Sequence, residues 1–175
     1  MQHRTSPALW RYALQQEGCW LAIVAGILFI RFPIKFALEP PFLMDFELFR
    51  GVALRLLNHQ AVQLYLPVET DAALFKYAPL WAWLFQPLAL VSQQTGLVLW
   101  SSLTVLWIAL TCWVATRLCH THGLRVPPAA SALAVVLLSR ILIAEFLNGQ
   151  TDCLWGFLTV AAIAAWNTKR LWWAA

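Results

Sequence analysis

From Leu97 to Val114 the chain carries no charged residue, and that run decides the solvent in which it folds. A helix needs about 20 predominantly apolar residues to cross the roughly 30 Å hydrocarbon core of a bilayer. The rest of the chain agrees with that environment. It is 61% hydrophobic and 11% charged over 175 residues, whereas a soluble domain carries about 25% charged residues. Too few charges are present to coat a water-facing surface. Tryptophan favours the membrane–water interface, and Trp10, Trp20, Trp100, Trp172 and Trp173 stand at expected span ends.

The net charge of +4 fits cytoplasmic loop charges rather than nucleic-acid binding, because no long basic run is present. Cys19, Cys112, Cys119 and Cys153 are too scattered for a disulfide framework. The run Cys119-His120-Thr121-His122 has metal-ligand types but no standard zinc spacing. No metal and no cofactor are expected. At the N-terminus a basic stretch precedes an apolar run, but Arg31, Pro33 and Lys35 follow it instead of a small-residue cleavage site. This predicts a retained first span rather than a signal peptide.

The spans follow from the apolar runs. The first is expected from about Gly18 to Phe32, ended by Pro33 and Pro40-Pro41. In residues 44–59, Phe49, Val52, Ala53, Leu56 and Leu57 make one helical stripe, while Glu47, Arg50, Arg55, Asn58 and His59 interrupt any span. That pattern predicts an amphipathic helix lying along the membrane surface, with Asp45 at its N-cap. Residues 60–77, with Pro67, Glu69 and Asp71, read as loop. Pro79 to Val91 is apolar but too short to cross, so a re-entrant or interfacial segment is expected. Leu97–Val114, a helix from Pro127 or Pro128 to about Phe146, and Cys153–Trp166 supply the other spans. A polar break, Asn148 to Asp152, separates the last two.

The predicted fold is therefore an all-α, multi-pass cell-membrane protein of about four transmembrane helices, forming a single membrane domain over 1–175. With four spans, Arg4, Arg11, Arg117, Arg125, Lys169 and Arg170 share one side. The positive-inside rule makes that side, and both termini, cytoplasmic. Residues 35–96 and the Asn148–Asp152 break then share the outer face. A carboxylate on an interfacial helix there is placed to meet a lipid head group, and Asp45 is the candidate; a plain N-cap is its alternative reading.

Several short motifs run in order. Asp45-Phe46 is followed by Phe49, Ala53, Leu56-Leu57 and Leu64-Tyr65. Next come Phe75-Lys76-Tyr77-Ala78-Pro79, Pro87-Leu88-Ala89-Leu90, Leu99-Trp100 and Leu147-Asn148-Gly149-Gln150. Over most of residues 42–170 this resembles glycosyltransferase family 87, of the GT-C class, which includes polyprenol-phosphate-mannose-dependent mannosyltransferases. Ala78 stands where the family's first Pro of a pair is usual, and Asp152 where Asn is usual. The family's chains are longer. The resemblance therefore implies an N-terminal portion of a larger transmembrane domain, inactive alone and completed by a C-terminal companion chain.

The resemblance implies hexosyl or mannosyl transfer from a polyprenyl-phosphate-linked sugar to a hydroxyl of a lipid or glycan acceptor, with membrane lipids around it. It puts Asp45 in the catalytic role, and one carboxylate suffices to orient and deprotonate a hydroxyl. Lys76 and Arg140 are the cations expected to meet phosphate. Interfacial snorkelling of Lys76 and a structural Arg140–Glu145 pair in the third span are the alternatives. Tyr77 belongs to the family-like motif, and Asn148 and Gln150 are expected to hydrogen-bond sugar or acceptor, or else to form a polar turn. Of the other function classes, a non-catalytic membrane subunit that binds lipid or a partner stays open. A transporter would show paired broken helices in two related halves.

Overall fold

The computed structural model describes residues 7–66 and 75–167, with side chains from Gly18 onward. Among these residues every regular element is helical. The order is α1 (Pro7–Phe29), a π-turn (Ile30–Ile34), α2 (Lys35–Leu38), α3 (Met44–Leu57), a 3-10 turn (Ala61–Gln63), α4 (Pro79–Ala89) and α5 (Gln93–Thr121). Then follow α6 (Ala130–Leu137), α7 (Ser139–Asn148) and α8 (Asp152–Asn167).

Two stretches are long and apolar enough to cross a membrane, Gly18–Leu38 and Gln93–Thr121. A third arises if α6 and α7, bent by 65° at their junction, count as one span. α8 is a 16-residue helix within the described residues. α4, at 11 residues, rises about 16 Å at 1.5 Å per residue, far less than the hydrocarbon thickness. The basic flanks Arg4, Lys169 and Arg170, the side chain of Arg11, and Pro67, Glu69 and Asp71 lie outside what the structure describes.

Several expectations are corrected. Pro33 does not end the first helix, which passes through the π-turn and continues as α2 to Leu38. Proline lacks an N–H and clashes with the preceding turn; a π-turn relaxes both demands without stopping the helix. The third span is not one straight helix, for it breaks between Leu137 and Ser139. Asp45 is not an N-cap, because α3 starts one residue earlier and Leu43 takes the cap position in extended backbone. Leu43 is buried, and its burial fixes where the chain turns into the helix. Trp100 is buried within α5, its ring 4.7 Å from that of Phe85.

The chain forms two compact units. The first comprises residues 29–103 and 144–150. Its core is the α3–α4 pair: Phe46, Phe49, Val52 and Ala53 bury against Trp81, Ala82, Phe85 and Leu88. Phe49 centres an aromatic cluster, 4.7 Å from Phe85 and 4.8 Å from Tyr77 by ring centroids. The predicted stripe is the buried face through Phe49, Val52 and Ala53 and extends back one turn to Phe46, while Leu56 and Leu57 are only half-buried. α3 ends in a Schellman arrangement, with His59 in the left-handed region and Gln60 N–H donating to the Arg55 carbonyl. The Phe32 and Phe146 rings stack at 4.0 Å.

The second unit holds the remaining parts of α1, α5 and α7 together with α6 and α8. Within it, Trp107 stacks on Phe157 at 5.4 Å, and the Arg117 guanidinium lies 5.3 Å over the Trp113 ring.

Phe46 sits between two glycines of the first unit. A Cβ on Gly149 would fall 2.8 Å from Phe46 Cβ and 3.1 Å from its backbone nitrogen, and Gly149 has φ +72°. A Cβ on Gly96 would meet Phe46 Cζ and the Leu88 carbonyl, each at 3.1 Å. Gly149→Ala is expected to lower stability by roughly 2–4 kcal/mol, combining overpacking with a left-handed backbone. Gly96→Ala should cost less, since the Phe46 ring tip can shift. Thermal unfolding in detergent checks both; equal melting of wild type and Gly149→Ala would contradict the packing.

Candidate functional site

The candidate site grows from the first turn of α3. Asp45 and Phe49 are four residues apart, so they stand on one face about one turn from each other. Phe49 is fully buried and holds Tyr77, which is about one-third exposed, at the start of the α4 segment. Asp45 is half-buried. On its other flank, Gly149 approaches the backbone of Phe46 and the side chain of Leu43. The polar break expected between the last two spans thus packs directly on the helix turn that carries Asp45.

That packing is fixed from within the break. Gly149 N–H and Gln150 N–H both donate to the Glu145 carbonyl, at 3.0 and 3.2 Å, and close α7. Asn148 is exposed and Gln150 half-buried beside the same turn. Asp45, Tyr77, Asn148 and Gln150 all belong to the first unit. Lys76 belongs to it too and is exposed on the chain leading into α4.

Arg140 does not join them. It falls in the second unit, as the second residue of α7, and is exposed. Glu145 is buried, and five residues at 100° per residue set the two about 140° apart on α7.

Charged residues of α3 fasten it to the segments around it. Glu47 Oε1 accepts from Gln93 Nε2 at 2.6 Å. Arg50 Nη2 donates to the Val91 carbonyl at 3.3 Å. Arg55 Nη1 donates to the carbonyls of Gln63 and Leu66 at 2.8 and 2.6 Å. Arg50 is the cation that sequence reading passed over. It is half-buried, and its Nε is shielded from solvent without a hydrogen-bond partner among the described residues. The available signal was its place between Phe49 and Val52, in the middle of an apolar stripe.

Among the described residues no three His, Cys, Asp or Glu side chains gather as a metal site. What the first unit offers is the half-buried carboxylates of Asp45 and Glu47, an aromatic floor with a phenol, and a tight turn bearing two amides.

Comparison with known proteins bears on this arrangement. The sequence model described as glycosyltransferase family 87 matches residues 75–175, which include the Tyr77 motif, α4, the Asn148–Gln150 turn and α8 but not Asp45. No curated protein and no solved structure matches the chain. The match extends over more than half of the sequence, and with its apolar helices this chain is a membrane protein that belongs to glycosyltransferase family 87.

Proposed function

We propose that this protein takes part in transferring a hexosyl group, mannosyl in the first instance, from a polyprenyl-phosphate sugar to a hydroxyl of a lipid or glycan acceptor at the outer membrane face. The observation that carries the reading is the packing of the family-matched Gly149 turn on the α3 turn that bears Asp45. Family membership gives sugar transfer in general; the juxtaposition supplies the local carboxylate.

The chemistry needs few parts. The acceptor oxygen attacks the anomeric carbon while the bond from that carbon to the phosphate oxygen breaks. Phosphate leaves with the electron pair, and the sugar carbon inverts. Asp45 orients the acceptor hydroxyl and takes its proton as the new bond forms. Tyr77, Asn148 and Gln150 hydrogen-bond the sugar or acceptor. Lys76 and Arg140 meet phosphate in this reading, with Lys76 on the same unit as Asp45. GT-C architecture and completion of the donor pocket by a C-terminal companion chain belong to the same proposal.

Four spans place these parts. α1 with α2, α5, the bent pair α6–α7, and α8 each cross once, while α3 lies along the outer interface and α4 stays short of crossing. Both termini and the loop Thr121–Pro128 are then cytoplasmic. With the four native cysteines replaced, His122→Cys is expected to react with an impermeant maleimide only after the membrane is opened. Reaction in intact cells would refute the topology.

Asp45→Asn, made in the assembled enzyme, is expected to reduce transfer by at least about a hundredfold, the lower range for a general base. Donor binding should persist, because the substitution removes charge and basicity but little volume. Glu47 lies two positions on, about 200° around the helix, so it cannot face the same substrate atom. If Glu47→Gln causes the larger loss, the base is Glu47; if neither variant loses activity, this turn is not the catalytic one.

A further inference from the structure

The first unit contains a cavity of about 470 Å³ lined by Pro40, Pro41, Phe42, Ser92, Gln93 and Gln94. That is within the roughly 300–1,000 Å³ range of small-molecule sites. We propose that it binds a neutral sugar ring, the glycan part of the acceptor. The proposal rests on the transferase reading and adds a site to it.

The lining fits that chemistry group by group. Gln94 Nε2 donates to the Ala37 carbonyl at 2.5 Å, and Gln93 Nε2 to the Glu47 carboxylate at 2.6 Å. Both partners only accept, so the amide orientation is forced. Each amide thereby keeps its NH2 on the protein, and its oxygen makes no hydrogen bond among the described residues. Two fixed acceptors are matched to sugar hydroxyls, which donate. Ser92 Oγ is held by Thr95 Oγ1 at 2.8 Å and by the Thr95 N–H at 3.2 Å, which caps α5 and keeps this rim in place. The opposite wall is Pro40-Pro41, stiff at φ, followed by Phe42, which is 56% exposed. An aromatic ring beside two amides is a platform for the C–H face of a pyranose.

Charge selects between the sources of such a ring. No Lys or Arg lines the cavity; the charged side chain hydrogen-bonded to its lining is the Glu47 carboxylate, while the Arg50 guanidinium bonds one residue outside it, at the Val91 carbonyl. A donor sugar carries phosphate on its anomeric oxygen and would bring that anion against Glu47. An acceptor glycan brings hydroxyls alone. Glu47 follows Asp45 by two residues on α3, about 200° around the helix, so an acceptor held here reaches the proposed base only by extending past α3.

The test is saturation-transfer NMR on the 175-residue chain in nanodiscs, with methyl α-mannopyranoside as probe and α-mannose 1-phosphate as competitor. Saturation transfer to the glycoside is expected. It should fall about fivefold in Gln94→Leu, the effect of one hydrogen bond near 1 kcal/mol, and similarly in Phe42→Ala. Phe42→Ala is the safeguard against misfolding of Gln94→Leu, since the Phe42 ring is largely exposed. The glycosyl phosphate should compete less well than an equal concentration of unlabelled methyl glycoside. No transfer to the wild type, equal transfer in Phe42→Ala, or stronger competition by the phosphate would each overturn the assignment. Binding is read without donor and without turnover, so its failure leaves the transferase reading standing.

Discussion

Phe46 can occupy its place because the residues on either side of it have no Cβ. Gly149 comes to the backbone of α3 with φ +72°, and Gly96 admits the ring tip beside the Leu88 carbonyl. Neither approach tolerates a side chain without movement. The consequence is positional. A turn far along the sequence is set against the first turn of α3, and the residue before Phe46 is Asp45. The candidate carboxylate takes its position from its neighbour's packing and from its own place on the helix.

The aromatic cluster carries that placement from α3 to the α4 segment. Phe49 touches Phe75, Tyr77, Trp81 and Phe85, and Phe85 in turn meets Trp100 of α5. Offset and edge-to-face aromatic pairs each add about 0.5–1.5 kcal/mol beyond area burial. In a protein whose helices face hydrocarbon, solvent exclusion drives helix association weakly and packing matters more. A short α4 that cannot span is therefore still well anchored. The motif Phe75-Lys76-Tyr77 has two rings in the cluster, and Lys76 between them stays exposed.

What could be read in the sequence was what depends on composition and period. The all-helical membrane class, the α3 stripe through Phe49, Val52 and Ala53, the shortness of the 79–91 segment and the polar break at Asn148–Asp152 all follow from local pattern. The failures share a cause, which is that tertiary packing moved a boundary. Pro33 reads as a stop, yet a π-turn absorbs it. Asp45 reads as an N-cap, yet burial of Leu43 starts the helix earlier. The 65° break after Leu137 carries no proline or glycine to announce it. The closeness of Gly149 to Asp45's turn was invisible because nothing local links positions so distant in the chain. The family motifs ordered them without placing them side by side.

The charges of α3 show why an amphipathic helix can serve as a platform here. Glu47, Arg50 and Arg55 each hold another segment, respectively the first residue of α5, the α4–α5 connection and the stretch after α3. A charge shielded from water without such a partner carries a desolvation cost; bonded to carbonyls and amides, it ties α3 to its neighbouring segments. Arg50 fills this role incompletely, since its Nε stays unsatisfied while its Nη2 bond is long at 3.3 Å. The tethered residues run along the body of α3, and Asp45 stands at the end where the Gly149 turn arrives. The first of these charges, Asp45, is thereby placed beside the turn that the family match includes.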